Sequence, residues 1–272
     1  MKLNGVGKTG LLVAAMRARE SERSEADGPL FSDPFARALA GTDGWYIWKI
    51  ATDAVGEQPS IALRTRYFDD RIKLALEQGV RQIVILAAGM DSRAYRLKFP
   101  VNTKIYELDR AEVLAYKQER LIGARLQCER SEIAVDLKDD WEKKLIEAGF
   151  KKGEKTVWIV EGLLMYLDES AVVSLFKRIN SLATSQDILL SDILSLTFLK
   201  APFLAPQIEF LKKIEAPWIF GTDEPEKFLE NLGWKANVIQ TGDVAPHRWH
   251  MPVIPRNIPN VPRGFLVEAV KN

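Results

Sequence analysis

With 272 residues and 47% hydrophobic content, the chain can bury one large α/β core with a small added cap, and two separate domains are not needed. Its 38 lysines and arginines nearly balance 37 aspartates and glutamates, so no net field draws it toward nucleic acid or an anionic membrane. One cysteine, Cys128, excludes an internal disulfide, two late histidines make no zinc cluster, and no apolar run approaches the roughly 20 residues that cross a bilayer. The N-terminus lacks the charged-then-apolar layout of a signal peptide, so the expected location is cytoplasmic.

Taken in order, Thr9 to Glu20 is rich in helix formers, and Ser21 to Gly28 is a charged loop. Asp33-Pro34 predicts a helix start, with Asp as cap and Pro in the first turn. Trp45, Tyr46 and Trp48 read as a cap packed on the core rather than a ligand cage. From Ile61 to Gly79 the apolar spacing predicts a long amphipathic helix stopped by glycine.

That helix feeds the stretch Gln82 to Leu97, whose apolar, β-branched first half reads as a strand buried on both faces of a parallel sheet. It breaks at Ala87-Ala88-Gly89, where small residues let the backbone approach a ligand, and Asp91-Ser92 can cap a helix facing the same place. The pattern is that of a nucleotide-type crevice at a strand's carboxyl end, although a lone glycine after a strand also reads as a tight turn.

Strands and helices then alternate. Strands are predicted at Thr103–Leu108, Glu132–Val135, Thr156–Val160 and Asp187–Ser191, and helices at Ala111–Ile122, Trp141–Ala148 and Glu169–Ala183. The prolines and aromatics of Thr197 to Phe220 suggest a helical lid. A helix at Glu224–Leu232 leads to strands at Lys235–Gln240 and Gly264–Val270, which no helix separates, so the two are expected to pair antiparallel. The fold class is α/β: a doubly wound, mostly parallel seven-stranded sheet.

Candidate chemistry gathers at the strand ends. Asp109 stands twenty residues after Gly89, the approximate separation between a glycine turn and the acid that accepts the ribose hydroxyls of an adenosine cofactor. Period-two geometry puts Glu107 on the same face, so one carboxylate can bind ribose while the other holds the turn or a ligand ammonium; both also read as solvated acids. Asp136-Leu137 follows the third strand, where an acid can pair with an adenine amino group, and it reads equally as a helix cap. Glu161-Gly162 ends the fourth strand at the same sheet edge, where a charge has few structural reasons to exist. Arg64 and Arg66 suit a bidentate grip on a carboxylate, although exposed helical arginines are common.

In sequence, Arg64-Thr65-Arg66-Tyr67-Phe68-Asp69-Asp70, Ala88-Gly89-Met90-Asp91-Ser92-Arg93-Ala94-Tyr95-Arg96-Leu97, Tyr106-Glu107-Leu108-Asp109, Asp136-Leu137 and Glu161-Gly162-Leu163-Leu164-Met165-Tyr166-Leu167 resemble the leucine carboxyl methyltransferase family, which includes bacterial O-methyltransferases of polyketide and other secondary metabolism. The resemblance runs from about Thr9 to Asp192. It implies a class I, Rossmann-like methyltransferase fold using S-adenosyl-L-methionine. By the same resemblance, Arg64 would hold the cofactor carboxylate, Ala88 and Gly89 the methionine portion, Asp109 the ribose, Asp136 and Leu137 the adenine, and Glu161 the amino end near the sulfonium. One departure is Ala87, where the family usually opens a Gly-Ala-Gly turn. A single methyltransferase domain over residues 1–272 follows: a helical cap at 1–79, the cofactor core at 80–193, a lid at 194–234 and closing strands at 235–272.

Methyl transfer from a sulfonium is an in-line displacement that needs alignment and water exclusion, and no metal. A carboxylate acceptor is ionised at neutral pH and needs only an orienting arginine, for which Arg248 is placed; a hydroxyl needs a base, for which His247 or His250 is the candidate. The stretch Pro246 to His250 also reads as a plain loop with one stacked Trp–Arg contact. Tyr166 and the lid aromatics would line a small apolar acceptor site. The leading expectation is a small-molecule O-methyltransferase acting on a carboxyl or hydroxyl group, with no nucleic-acid or membrane partner. The alternatives are a protein C-terminal carboxyl methyltransferase, an NAD-dependent dehydrogenase, which lacks its three-glycine fingerprint here, and a non-catalytic cofactor-binding module.

Overall fold

The run Gln82–Leu86 (β1) is buried along its whole length because sheet and helices cover it on every side. The computed structural model describes residues 3, 5–57, 59–244, 251 and 253–272. Before β1 come three helices, Val6–Ser21 (α1), Ala36–Val55 (α2) and Ser60–Glu77 (α3). After it follow Arg93–Arg96 (α4), Lys104–Asp109 (β2), Ala111–Arg120 (α5), Glu129–Ala134 (β3), Trp141–Glu147 (α6), Thr156–Val160 (β4), Glu169–Leu182 (α7) and Ile188–Leu194 (β5). Leu196–Leu199 (α8), Ala205–Lys213 (α9), Pro225–Asn231 (α10), Trp234–Gln240 (β6) and Gly264–Lys271 (β7) complete the chain.

The seven strands lie in the order β3-β2-β1-β4-β5-β7-β6. The first five are parallel, Val84 standing opposite Tyr106 on one side and Trp158 on the other. β7 inserts between β5 and β6 and runs antiparallel to both, as the missing crossover helix predicts. The apolar pattern of the central strands follows from the helices on both faces. Ile83 and Ile85 meet Leu11, Leu39, Leu63 and Phe68 of α1 to α3, while Val84 and Leu86 meet Trp141, Phe176 and Ile179 on the opposite side. α7 shows how local chemistry supports this: Asp168 Oδ1 accepts from the Ala171 N–H at 2.8 Å, and Val172, Leu175, Phe176 and Ile179 form one buried stripe.

Several boundaries differ from the sequence pattern for physical reasons. β3 begins at Glu129 rather than Glu132 because the charges of Arg130 find partners in Glu107 and Glu132, so a polar run can pair at the sheet edge. α2 begins two residues after Asp33-Pro34; Asp33 still accepts from the Phe35 N–H, but its Oδ2 is taken by Arg17 and Ser92. Ser92 therefore donates to Asp33 instead of capping α4, and Asp91 Oδ1 accepts the Arg93 N–H. Trp45 and Trp48 pack edge to face at 5.4 Å against the core, whereas Tyr46 points to solvent. The 197–220 region is largely helical, through α8, a 3₁₀ turn at Pro202–Leu204 and α9. Among the described residues, no helix is long and apolar enough to cross a membrane.

Candidate active site

At the carboxyl end of β1 the chain reverses through two residues in the left-handed region, Ala87 (φ 54°) and Gly89 (φ 48°). The turn is held from the next strand: the Ala88 N–H donates to the Leu108 carbonyl at 3.0 Å and the Gly89 N–H to Asp109 Oδ2 at 2.6 Å. Asp109 Oδ1 accepts the Arg110 N–H at 2.7 Å, so each carboxylate oxygen keeps a lone pair for a further donor. Burial pushes the Asp109 carboxyl above its ordinary range, against the two amide donors that favour its charge.

Ala87 stands where glycine would adopt φ 54° without a side-chain clash. Ala87→Gly relieves a left-handed alanine at about 1 kcal/mol while loosening the unfolded chain by somewhat less. The expected result is a gain of a few tenths, about 0.3 kcal/mol, in urea unfolding, with cofactor affinity equal to or tighter than the parent's by calorimetry. Loss of stability by more than that amount would show that the alanine methyl is needed for packing.

Around this turn lies a buried ion-pair network drawn from six parts of the chain. Arg17 of α1 donates through Nε to Asp33 Oδ2 and through Nη2 to the Met90 carbonyl, tying the first helix to the glycine turn. Asp69 of α3 accepts from Arg93 and Arg96. Arg93 reaches Asp69 Oδ1 at 2.8 Å, Asp91 Oδ2 at 2.5 Å and Glu161 Oε2 at 2.8 Å. Arg64 reaches Glu161 Oε1 at 2.9 Å and Asp192 Oδ2 at 2.8 Å, and Asp192 Oδ1 accepts the Gly162 N–H at 2.6 Å. Gly162 has φ 64°, and a Cβ there would sit 3.3 Å from Arg64, so the close approach requires glycine.

The charges in this network hold one another. Burial works against the Glu161 carboxylate, but Arg93 and then Arg64 outweigh it and keep its pKa below the ordinary range. For Asp91 the same balance, with Arg93 first among the cations, lowers the pKa to about 2. Burial opposes the Arg64 charge too, and Asp192 and Glu161 overcome it.

One cavity of about 960 Å³ opens above the turn, near the upper end of the range for small-molecule sites. Arg64, Ala88, Gly89, Asp109, Asp136, Leu137, Glu161 and Tyr166 all line it, although they come from five separate stretches of the chain. Asp136 is exposed, with Oδ1 accepting the Lys138 N–H at 2.9 Å; the Leu137 side chain lies beside it. Tyr166 ends a 3₁₀ turn, Leu164–Tyr166, directly after β4.

Glu107, expected at the cofactor site, stands away from it. It does not line the cavity: its side chain is fully buried one step down β2, where Oε2 takes Lys117 Nζ at 2.7 Å and Arg130 Nη2 at 2.6 Å. It shares a strand face with Asp109, but α5 lies over it and supplies Lys117. Asp109, not Glu107, holds the turn. His247, Arg248 and His250 lie outside the described residues.

The network partners Asp91, Arg93 and Asp192, and the whole of α1, were not among the sequence candidates for the site. α1 contributes Gly7, Gly10, Leu12, Val13 and Met16 to the cavity wall. Asp91 and Arg93 carried a signal, through their place just after the glycine turn.

An adenosyl cofactor fits these groups. Asp109 offers two acceptors to a diol, Leu137 an apolar face beside an acceptor at Asp136, and Arg64 a third nitrogen, Nη2, without a hydrogen-bond partner among the described residues. The sheet order, the acid ending β2 and the cavity above them define a class I methyltransferase-type α/β protein. The fold matches a DUF574-family protein from Streptomyces avermitilis with a TM-score of 0.63 at 13% identity, covering 95% of this chain and 97% of that one. It likewise matches a candidate methyltransferase from Thermobifida fusca, with a TM-score of 0.61 at 16% identity over 86% and 92% of the two chains.

The leucine carboxyl methyltransferase model matches residues 10–180. A candidate S-adenosyl-L-methionine-dependent methyltransferase from Frankia alni is 34% identical over 285 residues, spanning 98% of this chain and 96% of that protein. Another from a Parafrankia strain is 39% identical over 189 residues, spanning 66% of this chain and 60% of that protein. The chain belongs to the leucine carboxyl methyltransferase family, and with it to the S-adenosylmethionine-dependent methyltransferases.

Proposed function

We propose that the protein methylates an oxygen, of a carboxyl or hydroxyl group, on a small and largely apolar molecule of secondary-metabolite type. The observation that carries this reading is the composition of the cavity wall. Opposite the polar strand ends stand Leu12, Val13 and Met16 of α1, Phe198 of α8, Leu211 of α9 and Trp218, all lining the same space. Phe198 and Trp218 lie 6.0 Å apart with their planes tilted by 49°, an aromatic surface suited to a ring or acyl body.

When bound, S-adenosylmethionine supplies an electrophilic methyl group; the chain supplies position and dryness. Asp109, Asp136, Leu137 and Arg64 would hold the cofactor, with Glu161 at its amino end. Gly89 and Gly162 let the backbone approach closely. Tyr166, half-buried in the cavity wall, would offer a hydroxyl to the acceptor oxygen. α1 and α9 cover the site and keep water from competing with the acceptor. A carboxylate acceptor needs no proton removed, whereas a hydroxyl acceptor gives its proton to a base, the role expected of His247 or His250.

The test is a panel of aromatic and alkyl carboxylic acids, phenols and amines of matched shape, incubated with the protein and methyl-deuterated cofactor. Mass spectrometry reads the labelled product, and mild base separates esters, which hydrolyse, from ethers, which do not. Labelled ester or ether is the expected result. Label on amines alone, or on none of the panel, would overturn the reading.

A further inference from the structure

The ends of β4 and β5 place two carboxylates, Glu161 and Asp192, against one guanidinium, that of Arg64. Four cations of the network, Arg17, Arg64, Arg93 and Arg96, face five anions, Asp33, Asp69, Asp91, Glu161 and Asp192. This leaves one negative charge in surplus, and Asp109, held by backbone amides alone, adds to it. The neighbouring cluster does not cancel it, because Lys117 and Arg130 are already matched by Glu107 and Glu132. Arg263, next to β7, also lines the cavity with its guanidinium on the carbonyls of Pro255, Ile258 and Val261, so its charge offsets one of these two and one stays in surplus.

Among the described residues, Asp192 takes one cation, Arg64. Its other oxygen accepts the Gly162 N–H, and the residue lines the cavity at 7% exposure. We propose that Asp192 determines donor-over-product specificity: it keeps the cofactor end of the cavity negative, so the site favours the cationic sulfonium donor over the neutral thioether. The inference rests on the methyltransferase reading. In the transfer, the acceptor oxygen's electron pair forms the O–CH3 bond, the S–CH3 bond breaks, and sulfur keeps that pair and becomes neutral. A hydroxyl acceptor also releases a proton. The donor thus loses one positive charge while the network keeps its own, and the attraction falls away once the methyl has left. The amino and carboxylate ends are common to donor and product, so the sulfur charge alone separates them.

The experiment is calorimetric titration of the full chain and of Asp192→Asn with S-adenosylmethionine and S-adenosylhomocysteine. The variant is expected to weaken donor binding about tenfold and product binding less than about threefold, shifting the ratio of the two. Asp192→Glu, which retains the charge, should keep the ratio of the parent. If Asp192→Asn does not fold, Asp192→Ser, which keeps an oxygen for the Gly162 N–H without the charge, tests the same point with the same expected fall in the ratio. Equal weakening of both ligands would make Asp192 a structural tie for Gly162, and unchanged affinities would remove its role; either overturns the proposal. Failure of the parent chain to bind either compound is a separate result, which would fell the cofactor assignment itself.

Discussion

Asp109→Ala is expected to weaken binding of S-adenosylmethionine and S-adenosylhomocysteine at least about 100-fold. A hydrogen bond to a charged group contributes about 1.5–3 kcal/mol, and the Asp109 carboxylate has a lone pair free on each oxygen for two ribose hydroxyls. Its loss also frees the Gly89 N–H, which leaves the turn without its anchor from β2. Asp109→Asn keeps one acceptor, so its loss should be smaller, about tenfold. Because burial raises the Asp109 pKa, affinity in the parent should fall on acidification before an ordinary aspartate would protonate, and that step should vanish in Asp109→Asn. Calorimetry reads all three results, with NAD as the compound expected not to bind. Affinities within threefold of the parent in Asp109→Ala would show that the acid is not a ligand.

The site was legible where one short stretch of chain carries it. The strand Gln82–Leu86, the break at Ala87 and the acid twenty residues beyond Gly89 follow from an apolar run, a turn and a spacing, and the structure joins Gly89 to Asp109 directly. Glu107 shows what spacing lacks. Period two gives its face correctly, but depth along the strand decides whether a carboxylate meets a ligand or, as here, a buried lysine. Arg64 was legible as a candidate that the structure places in the cavity wall, but not as the clasp between Glu161 and Asp192, 97 and 128 residues away. Long-range ion pairs leave no periodic trace, and the same holds for Arg17 of α1, which reaches the Met90 carbonyl across 73 residues.

Arg93→Ala should cost more stability than any other single change at the site. It removes one guanidinium and leaves Asp69, Asp91 and Glu161 each without a charge partner they now share. Breaking a buried pair by deleting one partner costs about 3–5 kcal/mol, a large part of the roughly 5–15 kcal/mol that holds a domain together. At about 2–4 °C per kcal/mol for a chain near this size, the melting midpoint should fall by about 10 °C. Arg93→Lys should recover part of that loss, since one ammonium cannot span three carboxylates as a planar guanidinium does. The pH dependence should reverse sign as well. In the parent, the Asp91 pKa of about 2, against 3.8 when unperturbed, gives about 2 kcal/mol of stability. That contribution is complete above about pH 4 and lost as pH falls toward 2. Without Arg93, burial acts on Asp91 and Glu161 unopposed by its charge and raises both pKa values, so the variant should gain stability as pH falls from 7 toward 5. Melting curves across that range decide the matter: a midpoint within 3 °C of the parent at pH 7, or parallel pH profiles, would mean that the network does not depend on Arg93.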